Sequence, residues 1–530
     1  MRLFIFLFLL ILIQNNSHSQ TNYSKLYNLV NGNEFFSNIK KVNNNFLILG
    51  GGIVDPHLDN SKENSFLSII SQDGSIKYIK HYNDIINWGT GNVIASDKDT
   101  LYIIGEDRYK IPYNFIVLKS TIQGDSLDWL TYTFDEDYIS SEAIQLKDNF
   151  IYILGRTLYE DNNEIILLKT DRKGNIIKER RLTEFSNLYQ SFNVGYDLSI
   201  ASNGTLMLVA SILTFDGREA MLLNLNTDLE VNWFKKLNIY QNGFNFPDIL
   251  TTNDGVIITW GFYTYNYYEE LGKEVFDKYG DEQLTLFKYT NNGDLIWADT
   301  LWSERYYQYG LAPKYNIFKL ITTHNGDIVA CGIYYDILNH KEYGLLLRMD
   351  NSGKILWRKI YHDPKFTNND SNVFWDVAED DGGNFVIVGL LRDWDGEWNN
   401  LEYSWLVKVD KNGCFEPDCN HDDEIELISL NSEFIVNIDE IEYDSNNRNS
   451  NIFIYPNPVT EKLFLQNNAK IKYTNWEIYT SNGQKVLAGY LYHNSLNSIE
   501  GLEKINSGFY IIKLSDVQKT NIFISKFIKQ

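Results

Sequence analysis

Two stretches of this 530-residue chain set aromatic rings beside carboxylates, a combination suited to sugars. A ring stacks on the apolar face of the sugar, and a carboxylate accepts protons from its hydroxyls. The first stretch runs from Tyr263 to Gln283 and holds Tyr265, Tyr267, Tyr268, Glu269, Glu270, Glu274, Asp277 and Asp281, with Trp302, Tyr306, Tyr307 and Tyr309 following. The second holds Asp393, Trp394, Asp395, Glu397 and Trp398. Tyr265, Tyr267, Tyr268, Trp302, Trp394 and Trp398 are therefore the candidate ligand-binding residues. The plainer reading is that these are ordinary loops whose aromatics pack locally.

Glycoside cleavage would need two carboxylates roughly 5–10 Å apart. With 70 acidic residues such a pair can arise anywhere, and Glu270 and Asp395 are the first suspects. No His-Glu-x-x-His, Gly-x-Ser-x-Gly, P-loop or Gly-x-Gly-x-x-Gly motif occurs among the residues, and His numbers only 8. Gly50-Gly51-Gly52 closes an apolar run and reads as a turn rather than a phosphate cradle. No catalytic residue, cofactor or metal site is assigned. Cys414 and Cys419, five apart, fit a small disulfide loop, since neither a second Cys pair nor a His cluster accompanies them. Cys331 lies in an apolar run as a buried thiol. The net charge of −23 argues against nucleic acid and anionic membranes as partners. Aromatics at 15 % with only 8 Pro describe a folded, strand-rich chain.

The elements that must carry these loops are repeated. An apolar run returns seven times, ending in Gly in every copy but the fourth, which has Ala210-Ser211 instead, as in Phe46-Leu47-Ile48-Leu49-Gly50, Ile151-Tyr152-Ile153-Leu154-Gly155 and Phe385-Val386-Ile387-Val388-Gly389. Each is followed by an apolar strand, a tight turn and an aromatic strand, clearest at Leu345-Leu346-Leu347-Arg348-Met349-Asp350-Asn351-Ser352-Gly353-Lys354-Ile355-Leu356-Trp357. Asn-Gly and Asp-Gly supply the positive φ of hairpin turns. Two hairpins per unit make one four-stranded propeller blade. The seventh unit stops at Asn412-Gly413, without its Trp-x-Lys-x-Tyr strand. Tyr23-Ser24-Lys25-Leu26-Tyr27 resembles that missing strand and can complete the last blade, removing an open edge. Trp129, Trp233, Trp297 and Trp357 read as equivalent packing residues between blades. The fold class is thus all-β: a seven-bladed propeller over 21–419, similar to propellers with quinoprotein-like repeats. An acidic stretch, 420–450, reads as an extended linker, and its spacing fits no calcium loop.

The two ends read as addresses. Met1-Arg2, the apolar run Leu3 to Ile13 and the polar Gln14 to Gln20 fit a signal peptide over 1–20, too short to span a bilayer. No other stretch suggests a transmembrane segment in the mature chain. The tail holds Tyr455-Pro456-Asn457-Pro458, then Ser481-Asn482-Gly483-Gln484, Ser507-Gly508-Phe509-Tyr510 and Ser525-Lys526-Phe527-Ile528-Lys529. In that order these resemble the type A C-terminal sorting domain of the type IX secretion system of Bacteroidetes. The resemblance covers 451–530 and implies a small Ig-like β-sandwich, recognition by the type IX secretion machinery, and a secreted or outer-surface location reached through the periplasm. The residues it implies for sorting are Tyr455, Pro456, Asn457, Pro458, Gly483, Gly508, Tyr510, Lys526 and Lys529. Asp99-Thr100-Leu101, Asp125-Ser126-Leu127 and Asp299-Thr300-Leu301 resemble the O-glycosylation motif of the same bacteria. Three readings of function follow: a non-catalytic module binding an extracellular glycan or protein, a secreted enzyme acting on polysaccharide, or a structural or adhesion protein.

Overall fold

The computed structural model describes residues 22–27, 32–54, 63–82, 94–97, 99–107, 114–122, 126–134, 138–159, 162–183, 194–214, 217–241, 247–263, 282–300, 314–336, 339–366, 371–394, 400–416, 419, 425–435, 452–455, 459, 462–467, 473–480, 485–491, 496–499, 501–506, 508–515 and 522–529. These fall into two compact units, 1–434 and 435–530.

The larger unit is a seven-bladed β-propeller. Blades 1 to 5 are separate four-stranded antiparallel meanders at 32–82, 94–133, 138–181, 194–241 and 249–300. Blade 6 (314–362) and blade 7 (371–409) follow, joined by the single bridge Glu342 to Ser371. Blade 7 has three strands from its own segment, and strand Tyr23–Tyr27 pairs with Asn400–Val409 as its fourth, in the register Tyr23 to Lys408 and Tyr27 to Ser404. The ring therefore closes as the repeat phase requires.

The closing strand repeats the chemistry of its equivalents. Tyr361 of blade 6 donates its hydroxyl to the Gly413 carbonyl at 2.7 Å, and Tyr27 does the same to Gly74 at 2.5 Å. Trp357 lies over Gly413, Trp297 over Gly353 and Trp233 over Gly293, each turn glycine belonging to the next blade. Tyr23 takes that place over Gly74. Asn22 secures the strand by donating to the carbonyls of Cys414 at 3.1 Å and Phe415 at 2.8 Å. Cys414 is bridged to Cys419, with the Cα atoms 5.6 Å apart.

Trp129 is not the equivalent of the other three tryptophans. It pairs with Leu118, whereas Trp233, Trp297 and Trp357 pair with Asn224, Lys288 and Arg348, one position further along the neighbouring strand. A slip of one residue turns a side chain to the other face of a sheet. Trp129 is accordingly 42 % exposed and meets Tyr82 edge-on, while Leu130 covers Gly174 in its stead.

Two causes make Gly413 costly to replace. Its φ is +75°, and an added Cβ would lie 2.9 Å from the Trp357 ring. Gly326 shares the positive φ (+85°) but has nothing within 4 Å. The left-handed backbone costs roughly 1–2 kcal/mol at either site. Thermal unfolding is expected to show Gly413→Ala lowering Tm clearly more than Gly326→Ala; equal shifts would mean that the tryptophan contact carries no weight.

Part of the acidic stretch expected to be an extended linker is strand. Ile425–Ser429 adds in parallel to the outer strand of blade 6, with Arg358 opposite Ile425, and Glu433–Ile435 lies beside Tyr23–Tyr27. Alternating burial explains the exception: Ile428 and Leu430 enter the core shared by blades 6 and 7. Leu430 N donates to the His362 carbonyl at 2.7 Å, and Ser432 N to Asp363 at 2.7 Å.

The smaller unit has a three-stranded sheet (Ile452–Tyr455, Leu463–Asn467, Leu496–Ile499) and a four-stranded one (Lys485–Tyr490, Asn475–Thr480, Gly508–Ser515, Ile522–Lys529). Leu463, Leu465, Trp476, Ile478, Ile512, Leu514 and Phe527 fill its core. No α-helix occurs among the described residues, so no helix there is long and apolar enough to cross a membrane.

Candidate functional site on the loop face

In a radial meander, the turns joining first to second and third to fourth strands all lie at one end of the disc. The remaining connections lie at the other. At the first end the turns are short and self-capped: Asp171, Asp350, Asp380 and Asp410 each accept from the amides two and four residues ahead. At the second end the connections differ in length from blade to blade.

All the aromatic candidates belong to connections at that second end. The segment with Tyr265, Tyr267 and Tyr268 leaves blade 5 after Gly255–Tyr263 and returns at Glu282–Tyr289. That with Trp302 leaves after Leu295–Thr300 and enters blade 6 at Lys314–Thr322. Trp394 ends the strand Phe385–Trp394 of blade 7, its backbone opposite Asn400, and Trp398 lies between those two positions in the chain. These connections thus leave blades 5 and 7 and enter blade 6 on one face. Tyr265, Tyr267, Tyr268, Trp302 and Trp398 themselves lie outside the described residues, as do Glu270 and Asp395.

The axis holds a charged cluster that no sequence motif announced. In five blades the innermost strand carries a bulge at the same place: Ser37, Glu142, Tyr196, Phe318 and Trp375 are the extra residues. The residues after the bulges of blades 4 and 7 reach the next blade, and the one after the bulge of blade 6 reaches back. Asp197 of blade 4 accepts from Ile249 N of blade 5 at 3.4 Å, and Asp248 of blade 5 from Leu320 N of blade 6 at 2.7 Å. Asp376 of blade 7 accepts from Ile39 N of blade 1 at 3.0 Å. Lys319 of blade 6 is 2.8 Å from Asp248 and 4.0 Å from Asp197.

Burial pushes the Asp197 carboxyl well above the usual range, with Lys319 opposing, and lifts Asp376 to about 6 against Lys319 and the amides of Ile39 and Val377. Burial also disfavours charge on Lys319, but Asp248, Asp197 and Asp376 outweigh it and hold the ammonium above its ordinary range. Both oxygens of Asp376 are committed, one to Ile39 N and the other to Val377 N at 2.7 Å. The cluster therefore stitches blades together. Among the described residues no group of three His, Cys, Asp or Glu is arranged to hold a metal ion.

This predicts a pH effect. The fold raises the Asp376 value from 3.8 to about 6, so its contribution is full below 3.8 and is lost as pH rises through about 6. Urea midpoints measured across that window are expected to fall more for the wild type than for Asp376→Asn. Parallel pH curves would contradict the assignment.

A second recurrent device was also missed. The cation in the third strand reaches the turn of the next blade: Lys119 to Arg172 O at 3.1 Å, Lys169 to Asp228 at 2.8 Å, Lys288 to Asn351 Oδ1 at 2.7 Å and Arg348 to Lys411 O at 2.8 Å. Lys408 closes the ring through Gln72 O at 3.4 Å and pairs with Asp380 at 2.9 Å, both side chains fully buried. Blade 4 has Asn224 there, and Lys235 reaches Gly293 O instead, at 2.8 Å.

In the smaller unit, Gly508 pairs with Lys529, Ile511 with Lys526, and Tyr510 with Phe527, whose rings stack at 5.8 Å. Tyr510 is buried and donates to the Asn506 carbonyl at 2.9 Å. Tyr455 ends the strand Ile452–Tyr455. Pro456, Asn457, Pro458 and Gly483 lie outside the described residues.

Residues 453–530 match the family described as the secretion system C-terminal sorting domain. That tail directs export by type IX secretion to the cell surface or extracellular space, and implies interaction with the type IX machinery. No characterised protein matches the sequence. Among solved structures, the chain is similar to the acylaminoacyl peptidase of Pyrococcus horikoshii, at 9 % identity and TM-score 0.37, covering 82 % of this chain but only 58 % of the peptidase. It is also similar to the polysaccharide lyase Uly1, at 10 % identity, TM-score 0.44, and 71 % and 90 % coverage. A third is PorZ, a surface component of the type IX secretion system of Porphyromonas gingivalis, at 10 % identity, TM-score 0.27, and 96 % and 70 % coverage. None of these likenesses carries an argument about activity.

Proposed function

We propose that this exported propeller, whose tail is a secretion system C-terminal sorting domain, is a non-catalytic module that binds a glycan outside the cell through its loop face. The observation that carries the reading is the topology: the segments bearing Tyr265, Tyr267, Tyr268, Trp302, Trp394 and Trp398 connect to strand ends of blades 5, 6 and 7 on the same face. The opposite face is built of capped turns that repeat from blade to blade and offer nothing distinctive. Repetition marks scaffold and divergence marks function, because every blade needs the former and no blade needs the latter.

Binding rather than catalysis is supported by the axial carboxylates. Asp197, Asp248 and Asp376 are engaged by backbone amides, which leaves them poorly placed to exchange protons with a substrate. A glycan-array screen of the full chain, with each hit then incubated and examined for released products, tests the proposal. Binding without products is the expected result. Released products would replace it with the polysaccharide-degrading enzyme, and the absence of any hit would refute glycan binding.

A further inference from the structure

The rim of the disc is covered at blade 6 and bare at blade 3. The outermost strand of blade 6, Ile355–His362, carries Ile425–Ser429 as an added parallel strand, with Lys359 paired to Glu426. The outermost strand of blade 3, Ile176–Arg181, has no further strand beside it among the described residues. Its Ile176 and Ile177 are 50 % and 54 % exposed. An outermost strand left unpaired presents a row of amides and carbonyls that can template another strand.

The two strands are equivalent by their pairing within each blade. Lys178 stands opposite Lys169 as Trp357 stands opposite Arg348, so Arg180 holds the position of Lys359, the one that meets Glu426. Blades 2, 4 and 5 differ there: blade 2 has Leu130, blade 5 has Asp299, and Lys235 of blade 4 already donates to Gly293 O at 2.8 Å. Blade 1 has Lys80, but none of the exposed large hydrophobic residues lies on its outer strand among the described residues.

The seam between the outer strands of blades 3 and 4 departs from the repeat as well. Lys178 occupies the place of Trp233, Trp297 and Trp357. It reaches Glu230 of blade 4 at 3.4 Å, so Lys178 and Arg180, two residues on, face blade 4. Trp233 lies over Gly293 of blade 5, so its neighbour Phe234 faces back toward blade 3, where it is 50 % exposed. Lys236 shares that side and pairs with Glu219 at 3.0 Å. Three cations thus meet two carboxylates beside an exposed ring, a locally positive and apolar seam on a chain of net charge −23.

We propose that the outer edge of blade 3 docks an extended acidic and apolar segment of another protein, which adds as a fifth, parallel strand. The strand on blade 6 shows the mode: Glu426 meets the cation, and Ile428, two residues further on the same face, enters the core between blades. On blade 3 a carboxylate would meet Arg180, and an apolar side chain would fill the seam beside Phe234. This edge is independent of the loop face and of glycan binding.

The probe is a fluorescein-labelled peptide with the sequence of residues 422–432, which carries Asp422, Asp423, Glu424 and Glu426. It is titrated against the full chain by fluorescence anisotropy. Saturable binding is expected, and a scrambled peptide should not bind. Arg180→Glu and Phe234→Ser should each weaken binding at least about fivefold, whereas Lys80→Glu on blade 1 should leave it unchanged. Phe234 is half exposed, so an unaltered urea midpoint for Phe234→Ser separates lost docking from lost folding. No binding would mean that the cations only guard the edge against pairing, and it overturns the proposal. Equal affinity in wild type and both variants places the peptide elsewhere, exchange with the strand on blade 6 included, and overturns it too. A dimer in sedimentation equilibrium that dissociates in Phe234→Ser would assign the edge to a second copy of the chain instead.

Discussion

Trp405→Ala is expected to open the propeller at its closing blade, lowering the urea midpoint more than any other single truncation considered. Trp405 is fully buried in the strand that receives Tyr23–Tyr27. Its ring lies 4.8 Å from that of Phe374, and its indole N–H donates to Ser24 of the closing strand at 3.0 Å. Ser24 is in turn 2.7 Å from Ser432, which Lys365 reaches at 2.6 Å through its carbonyl. One side chain thus joins the last blade, the N-terminal strand and the strap after the disulfide. Removing a buried tryptophan costs about 3–5 kcal/mol through lost transfer energy and the cavity left behind. Here the loss also removes the hydrogen bond that ties Ser24 of the closing strand to the last blade. Trp129→Ala, on a residue 42 % exposed, should shift the midpoint by much less. Equal shifts for the two would mean that ring closure contributes little to stability.

The second large effect concerns export. Deleting Ser507 to Gln530 removes the strands Gly508–Ser515 and Ile522–Lys529, half of the four-stranded sheet, together with the core residues Tyr510, Ile512, Leu514 and Phe527. The remaining strands keep an exposed edge and an uncovered apolar face, so the sorting domain cannot form. The truncated protein should accumulate in the periplasm with its propeller folded, because the two units have separate cores. Fractionation with immunoblotting reads the outcome. Normal amounts of the truncated chain outside the cell would contradict the role assigned to the tail.

The blade count and the ring closure were legible because both are written in local patterns. The Gly-ended apolar runs, the turn glycines and the likeness of Tyr23-Ser24-Lys25-Leu26-Tyr27 to Trp357-Arg358-Lys359-Ile360-Tyr361 are features of short segments. The mistaken equivalence of Trp129 was avoidable, since it stands five residues after Gly124 whereas Trp297 and Trp357 stand four after Gly293 and Gly353. The inter-blade cations carried a signal too: Lys119, Lys169, Lys288, Arg348 and Lys408 recur inside apolar strands, where a charge must have a partner. In the acidic stretch, charge content obscured Ile428 and Leu430, the alternate positions that lay it on blades 6 and 7. The axial cluster was not legible at all. Asp197, Asp248, Lys319 and Asp376 are separated by 51, 71 and 57 residues and meet only across blade boundaries, three of them at bulges and Asp248 just before the first strand of blade 5.

The claim that binds these observations together is that one face of the disc is functional and the other is scaffold. Hydrogen–deuterium exchange on the full chain, with and without a glycan identified by the array, tests it most directly. Protection is predicted at the loop-face strand ends of blades 5, 6 and 7, around Tyr263, Lys314 and Trp394. Protection confined to the capped turns around Gly174, Gly353 and Gly413, or to the outer strands, would contradict it.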